Sequence, residues 1–142
     1  MEKFYSKVDT GQLLHIVFRL EDFTKERTEV IDQDQFIQCA ALNMKAGKTF
    51  RPHKHFTRKR FYDGYIPQES WVVIRGRVKC VFYDTNGEII ATPILYEGDA
   101  SFTLGGGHTY RVLREPCIVY EYKTGPYFGQ KDDKIFIDGN NC

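Results

Sequence analysis

Short apolar or alternating runs, each ended by turn-forming residues, most restrict how this chain can fold. Such runs are typical of β-strands, whose side chains alternate between the two faces of a sheet. Asn86-Gly87 is the strongest turn signal, because this pair favours the positive φ angles of a tight hairpin. The predicted strands are Leu13–Leu20, Phe36–Met44, Thr49–His55, Ser70–Ile74, Val78–Tyr83, Ile89–Tyr96, Ser101–Leu104, His108–Leu113 and Cys117–Lys123. Many short strands with regular turns predict an all-β sandwich or barrel.

Three other segments give local signals. Arg75-Gly76-Arg77 lies between two apolar runs and predicts a tight hairpin. A weak helical signal covers Phe23 to Asp34. Phe56 to Gln68 is polar, aromatic and basic, and it predicts a long loop of the kind that is usually functional or mobile in a compact domain.

Length, charge and cysteine use exclude several classes of protein. The 142 residues predict a single domain, 1–142, that can bury its own core. A net charge of +1 provides no field that would attract nucleic acid or a membrane surface. We find no signal peptide and no apolar segment long enough to span a bilayer. The four cysteines form no Cys-x-x-Cys pair, so we expect reduced thiols in a cytoplasmic protein.

Three of the four histidines and one glutamate form a candidate metal site. His53 and His55 are two positions apart, and that spacing places both imidazoles on the same face of a strand. Glu69 opens an apolar strand, where an unpaired carboxylate would be costly. His108 follows three glycines at the start of another strand. Three imidazoles and one carboxylate predict a site for one divalent ion such as Fe, Mn, Zn or Ni.

These residues resemble the two motifs of the cupin superfamily. Gly47, five residues and His53-Lys54-His55 match one half of the first motif, and Glu69, six residues and Gly76 match the other. Thirteen residues separate the two halves, more than is common in the family. The second motif, 98–112, contains His108 one residue earlier than in the family, lacks the usual proline and has Val112 in place of the final asparagine. The resemblance implies a single cupin domain, a double-stranded β-helix or jelly-roll barrel, with the metal ion inside.

A narrower resemblance points toward sugars. Gln68 to Ile74 and Tyr120 to Tyr127 look like segments of small cupin-fold metalloproteins from bacterial surface-polysaccharide gene clusters. This resemblance implies a metal-dependent isomerase or epimerase acting on a sugar or sugar nucleotide. An iron-dependent dioxygenase and a non-catalytic sugar-binding or regulatory cupin are the alternatives. Some cupin epimerases contain no metal, and in those a histidine and a tyrosine act as base and acid.

Other side chains are candidates for the remaining roles. Arg51 shares a strand face with His53, and an arginine there could bind a carboxylate or phosphate with two hydrogen bonds. Tyr110 could donate a proton or simply pack. The candidate substrate-binding residues are Arg51, Arg58 and Arg60, and the candidate acids or bases are Tyr62, Tyr110 and Glu121. We expect a homodimer that pairs outer strands, with Leu13 to Leu20 as one such strand and His15 in a structural or interface role.

Overall fold

A computed structural model of the protein describes residues 1–43, 45, 46, 48, 49, 52, 66–124 and 135–137. These residues form nine strands and one short 3-10 helix, Leu20–Asp22. The strands are β1 (Glu2–Tyr5), β2 (Leu13–Phe18), β3 (Arg27–Glu29), β4 (Ala40–Leu42), β5 (Glu69–Tyr83), β6 (Ile89–Ala91), β7 (Ile94–Leu95), β8 (Ala100–Thr103) and β9 (Gly107–Lys123). None of the described segments is a helix of the length and apolarity needed to cross a membrane.

Seven of the strands form one antiparallel sheet, and this confirms the all-β prediction. The order is β1-β2-β8-β5-β6, and both β7 and β9 also pair with β5. Strands β3 and β4 form a separate two-stranded sheet. Across the described ranges no sheet closes into a barrel. The predicted strand Leu13–Leu20 is present as β2, but β1 and β8 occupy both of its edges, so it is not an outer strand.

A bend shared by β5 and β9 replaces the hairpin predicted at Arg75-Gly76-Arg77. The two strands pair from one end of β5 to the other, and their register shifts three times around this segment. Gly76 has a φ of +98°, and a Cβ atom there would lie 2.7 Å from the carbonyl oxygen of Pro116. The prediction of a tight turn is therefore wrong, because the glycine bends β5 sharply without ending it.

The bend brings two halves of the sheet face to face. The first layer contains β1, β2, β8, the half of β5 before Gly76 and the half of β9 after the bend. The second layer contains β6, β7 and the other halves of β5 and β9. Trp71 of the first layer stacks on Tyr110 of the second with ring centroids 4.0 Å apart. Phe4 of the first layer packs on Phe82 of the second at a tilted angle, with ring centroids 5.5 Å apart. We call the space between the two layers the interior.

A second core covers the outer face of the first layer. Val30, Ile31 and Ile37 are buried there against the apolar side chains of β2 and β8. The helix predicted over Phe23 to Asp34 is wrong, because this segment is a loop with the short strand β3. Its apolar side chains cover the sheet without the three- to four-residue repeat that a helical face requires. Among the described residues of the predicted strand Phe36–Met44, the strand that forms is β4, Ala40–Leu42.

We expect replacement of Ser70 by alanine to stabilise the fold. The Ser70 hydroxyl is buried and has no hydrogen-bond partner among the described residues. Removing such a group should raise the free energy of unfolding by about 1 kcal/mol, which urea denaturation would measure. Ser101→Ala is the matched control, because that buried hydroxyl lies 3.2 Å from the Tyr110 hydroxyl. Equal loss of stability in both variants would contradict the prediction.

Candidate functional site

Glu69 and His108 meet in the interior, although they belong to different layers of the sheet. Glu69 opens β5 and pairs with Thr103 of β8, whereas His108 near the start of β9 pairs with Phe82. The His108 Nε2 atom lies 3.2 Å from the Glu69 Oε1 atom. Their side chains are only 20% and 11% exposed. Two residues that are 39 positions apart in sequence therefore form one half-buried polar pair.

Local structure explains why these two side chains point inward. Glu69 follows Gln68, whose side-chain amide accepts a hydrogen bond from the Ile37 backbone N–H at 2.9 Å and donates one to the Leu104 carbonyl. This anchoring fixes the start of β5. Before His108, Gly106 has a φ of +68°, and a Cβ atom on it would lie 2.3 Å from the Tyr83 carbonyl oxygen. Only glycine fits that close approach, and the resulting turn directs His108 to the interior.

Tyr110 lies beside His108, with ring centroids 5.3 Å apart. One face of its ring stacks on Trp71, and its hydroxyl is 3.2 Å from the Ser101 hydroxyl. Burial raises the pKa of Tyr110 above its ordinary value, and the nearby charge of Glu69 acts in the same direction. The phenol therefore keeps its proton at neutral pH, so a general base at this position is disfavoured.

Glu121 and Cys80 occupy contrasting places. Glu121 is exposed and accepts a hydrogen bond from the Trp71 indole N–H at 3.1 Å.

Cys80 is fully buried in the interior, and burial raises the pKa of its thiol to about 12. Cys80 is therefore unreactive as a nucleophile at neutral pH. The three described cysteines, Cys39, Cys80 and Cys117, form no disulfide with one another.

Several predicted site residues lie outside the described residues. They are His53, His55, Arg51, Arg58, Arg60 and Tyr62. Within the described ranges no three His, Cys, Asp or Glu side chains come together as a metal-binding group. Of the four predicted ligands, the structure therefore describes the pair Glu69 and His108.

Two polar residues of the interior were not predicted as part of the site. His15 of β2 is fully buried, and Thr103 of β8 is 4% exposed. His15 Nδ1 lies 3.2 Å from the Thr103 hydroxyl oxygen. One sequence signal could have identified Thr103 as an interior residue. In β8 small polar residues alternate with Phe102, and this alternation places Ser101 and Thr103 on the same face of the strand.

The distance between Glu69 and His108 is suited to a shared metal ion. Zinc binds imidazole nitrogen and carboxylate oxygen at about 2.0–2.2 Å, so two neighbouring ligands lie roughly 3.0–3.5 Å apart at bond angles of about 90–109°. The observed 3.2 Å falls within that range. In the absence of metal, the same two groups satisfy each other, because the imidazole N–H donates to the carboxylate.

Comparisons with known proteins identify no relative of this chain. Family models, curated proteins and solved structures all give no match. Functional inference therefore depends on the residues of the interior and on the sequence motifs.

Proposed function

We propose that the chain is a metal-binding cupin that acts on a sugar or sugar nucleotide as an isomerase or epimerase. Glu69 and His108 hold one divalent ion together with His53 and His55. The double-stranded β-helix of that superfamily is part of this proposal. Arg51, Arg58 and Arg60 bind the anionic end of the substrate.

One observation carries the proposal: Glu69 and His108 approach to 3.2 Å in the interior, next to the buried apolar core that β5 contributes there. Burying a carboxylate costs free energy unless it is paired. A chain that served only to fold could fill this space with apolar side chains at less cost. Glu69 also stands where the first motif has its glutamate, and His108 is one position before the place of the histidine in the second motif.

The surrounding residues suit chemistry on a carbonyl or a hydroxyl. When bound, a divalent ion polarises a carbonyl or holds a pair of hydroxyls. The Trp71–Tyr110 stack forms an aromatic wall beside His108. Because Tyr110 retains its proton, its hydroxyl serves as a hydrogen-bond donor in this scheme, and the base must come from another residue such as Tyr62 or Glu121.

Elemental analysis of protein purified without added metal tests the metal site. We expect about one divalent ion per chain in the unmodified protein, as in sites of this ligand type. Glu69→Gln, and His53→Ala combined with His55→Ala, should each reduce the content to about a tenth or less, because each removes ligand atoms. Circular dichroism should show that these variants retain β-structure.

Glu29→Gln is the matched control, because Glu29 is exposed and pairs with Arg27 at the surface. It should bind metal as the unmodified protein does. Full metal content in the double histidine variant would overturn the ligand assignment. The identity of the metal separates the alternatives: iron accompanied by oxygen consumption would support the dioxygenase. Bound metal without turnover of any nucleotide sugar would support a sugar-binding role.

A further inference from the structure

His15 is a completely buried imidazole that neither motif includes. Its ring lies on that of Phe82, with centroids 4.4 Å apart and planes within 3° of parallel. Both nitrogens have partners: Nδ1 is 3.2 Å from the Thr103 hydroxyl oxygen, and Nε2 is 3.2 Å from the Tyr83 carbonyl oxygen. The side chain therefore spans β8 of the first layer and β5 in the second.

The two partners fix the protonation of the ring. A carbonyl oxygen can only accept, so Nε2 of His15 carries the proton and donates to Tyr83. Burial lowers the pKa of His15 to about 4, so Nδ1 is unprotonated at neutral pH and accepts a hydrogen bond from the Thr103 hydroxyl. His15 thus has one donor and one acceptor in fixed directions.

The partners of His15 are also neighbours of the Glu69–His108 pair. Thr103 is directly opposite Glu69 in the pairing of β8 with β5. Tyr83 is directly opposite Gly107, the residue before His108, in the pairing of β5 with β9. Each hydrogen bond of His15 is therefore made to a residue on a strand that pairs with one member of the Glu69–His108 pair or with its neighbour in the chain.

The turn before His108 packs against the same contact. A Cβ atom on Gly106 would lie 2.3 Å from the Tyr83 carbonyl oxygen and 3.4 Å from His15 Nε2. The backbone of this turn therefore packs against the two atoms of the hydrogen bond between His15 and Tyr83. A movement of that carbonyl would displace the turn and, with it, the imidazole of His108.

We propose that His15 is a positioning residue that sets the separation of Glu69 and His108 by linking Thr103 to the Tyr83 carbonyl. The effect of His15 on metal binding rests on the proposed function. Its effect on the Glu69–His108 pair in metal-free protein is independent of that function. Hydrogen bonds made directly to metal ligands typically change metal affinity by about 10–100-fold when they are removed. We expect the lower end of that range for His15, because its partners are Thr103 and Tyr83 and not the ligands themselves.

The test compares two substitutions of one residue. His15→Leu removes both hydrogen bonds, whereas His15→Gln keeps an amide oxygen to accept from Thr103 and an amide N–H to donate to Tyr83. With cobalt(II) as the probe, we expect His15→Leu to weaken binding about 10-fold and to change the visible absorption of the bound ion. We expect His15→Gln to have a cobalt affinity and a visible absorption spectrum close to those of the original protein. Thr103→Val provides a second variant if His15→Leu fails to fold, and it should weaken cobalt binding in the same direction.

Val17→Ala is the control for a purely structural role. Val17 is also fully buried, two positions along β2 from His15, and its replacement should reduce stability without changing cobalt affinity. Unaltered cobalt affinity in His15→Leu and Thr103→Val would overturn the proposal, as would an equal loss in Val17→Ala.

Imidazole nitrogen NMR of metal-free protein separates this proposal from the proposed function. His108 in the original protein should show the signal of an Nε2–H that is hydrogen-bonded to Glu69, and His15→Leu should lose it. If the original protein binds no cobalt but shows this difference, the metal assignment fails and the positioning role stands. If His15→Leu retains the signal, the positioning role fails.

Discussion

Gly76→Ala should destabilise the domain by about 3 kcal/mol or more. The φ of +98° is one that an alanine adopts only with strain. The new Cβ would also meet backbone, at 2.7 Å from the Pro116 oxygen and 2.9 Å from the Arg114 oxygen. Backbone atoms of a paired strand cannot rotate away as a side chain can, so β5 and β9 would have to separate at the bend.

Gly11→Ala is the matched control for this substitution. Gly11 has a similar φ of +87°, but no atom lies within 4 Å of the position of its Cβ. Its replacement should cost only about 1 kcal/mol, from backbone strain alone. Urea denaturation of both variants would measure the difference. Equal destabilisation would mean that the contact between β5 and β9 at Gly76 has no effect, and that the bend does not depend on this glycine.

Acidification from pH 6.5 to about 4 should reduce the stability of the metal-free protein by about 3 kcal/mol because of His15. Burial is the main cause that lowers the pKa of His15 from 6.5 to about 4, with the charge of His108 acting in the same direction. Hydrogen bonding to Tyr83 and the charge of Asp84 oppose it. In this window the unfolded chain binds a proton that the folded chain does not. Stability is therefore complete above pH 6.5 and falls as the pH falls.

Urea denaturation at a series of pH values would measure this loss. His15→Gln should flatten the decline between pH 6.5 and 4, because the titrating group is gone. A separate decline below pH 4 should remain. Although burial acts to raise it, the pKa of Asp84 is held at about 2 by hydrogen bonds from the Ser6 hydroxyl and the Lys7 and Thr85 backbone N–H groups. An unchanged slope above pH 4 in His15→Gln would contradict the assignment to His15.

The sequence predicted most strands but not how two of them are joined. Apolar or alternating runs located β2, β8 and both halves of β5, because these strands bury side chains in the two cores. The hairpin at Gly76 was wrong, since a glycine at positive φ serves equally for a reversal and for a bend. Only the pairing partner distinguishes them, and a partner near Pro116 is too distant along the chain for a local pattern to indicate.

For the site, the motifs selected Glu69 and His108, and these two residues lie together in the structure. The motifs did not select His15 and Thr103, whose importance depends on hydrogen bonds across three strands. A buried histidine in an apolar run has the same sequence signature whether it merely packs or holds two backbones in place. The difference lies in its partners, and those are set by tertiary structure.

The continuous pairing of β5 with β9 has a consequence for the order of folding. The pair closest along the chain is Tyr83 with Gly107, and the most distant is Glu69 with Lys123. Because closing a short loop costs less entropy than closing a long one, pairing is favoured to start beside the glycine turn and to propagate outward. His108 lies where pairing begins and Glu69 where it ends. Within these two strands we therefore expect contact between Glu69 and His108 only after the whole ladder of β5 and β9 has formed.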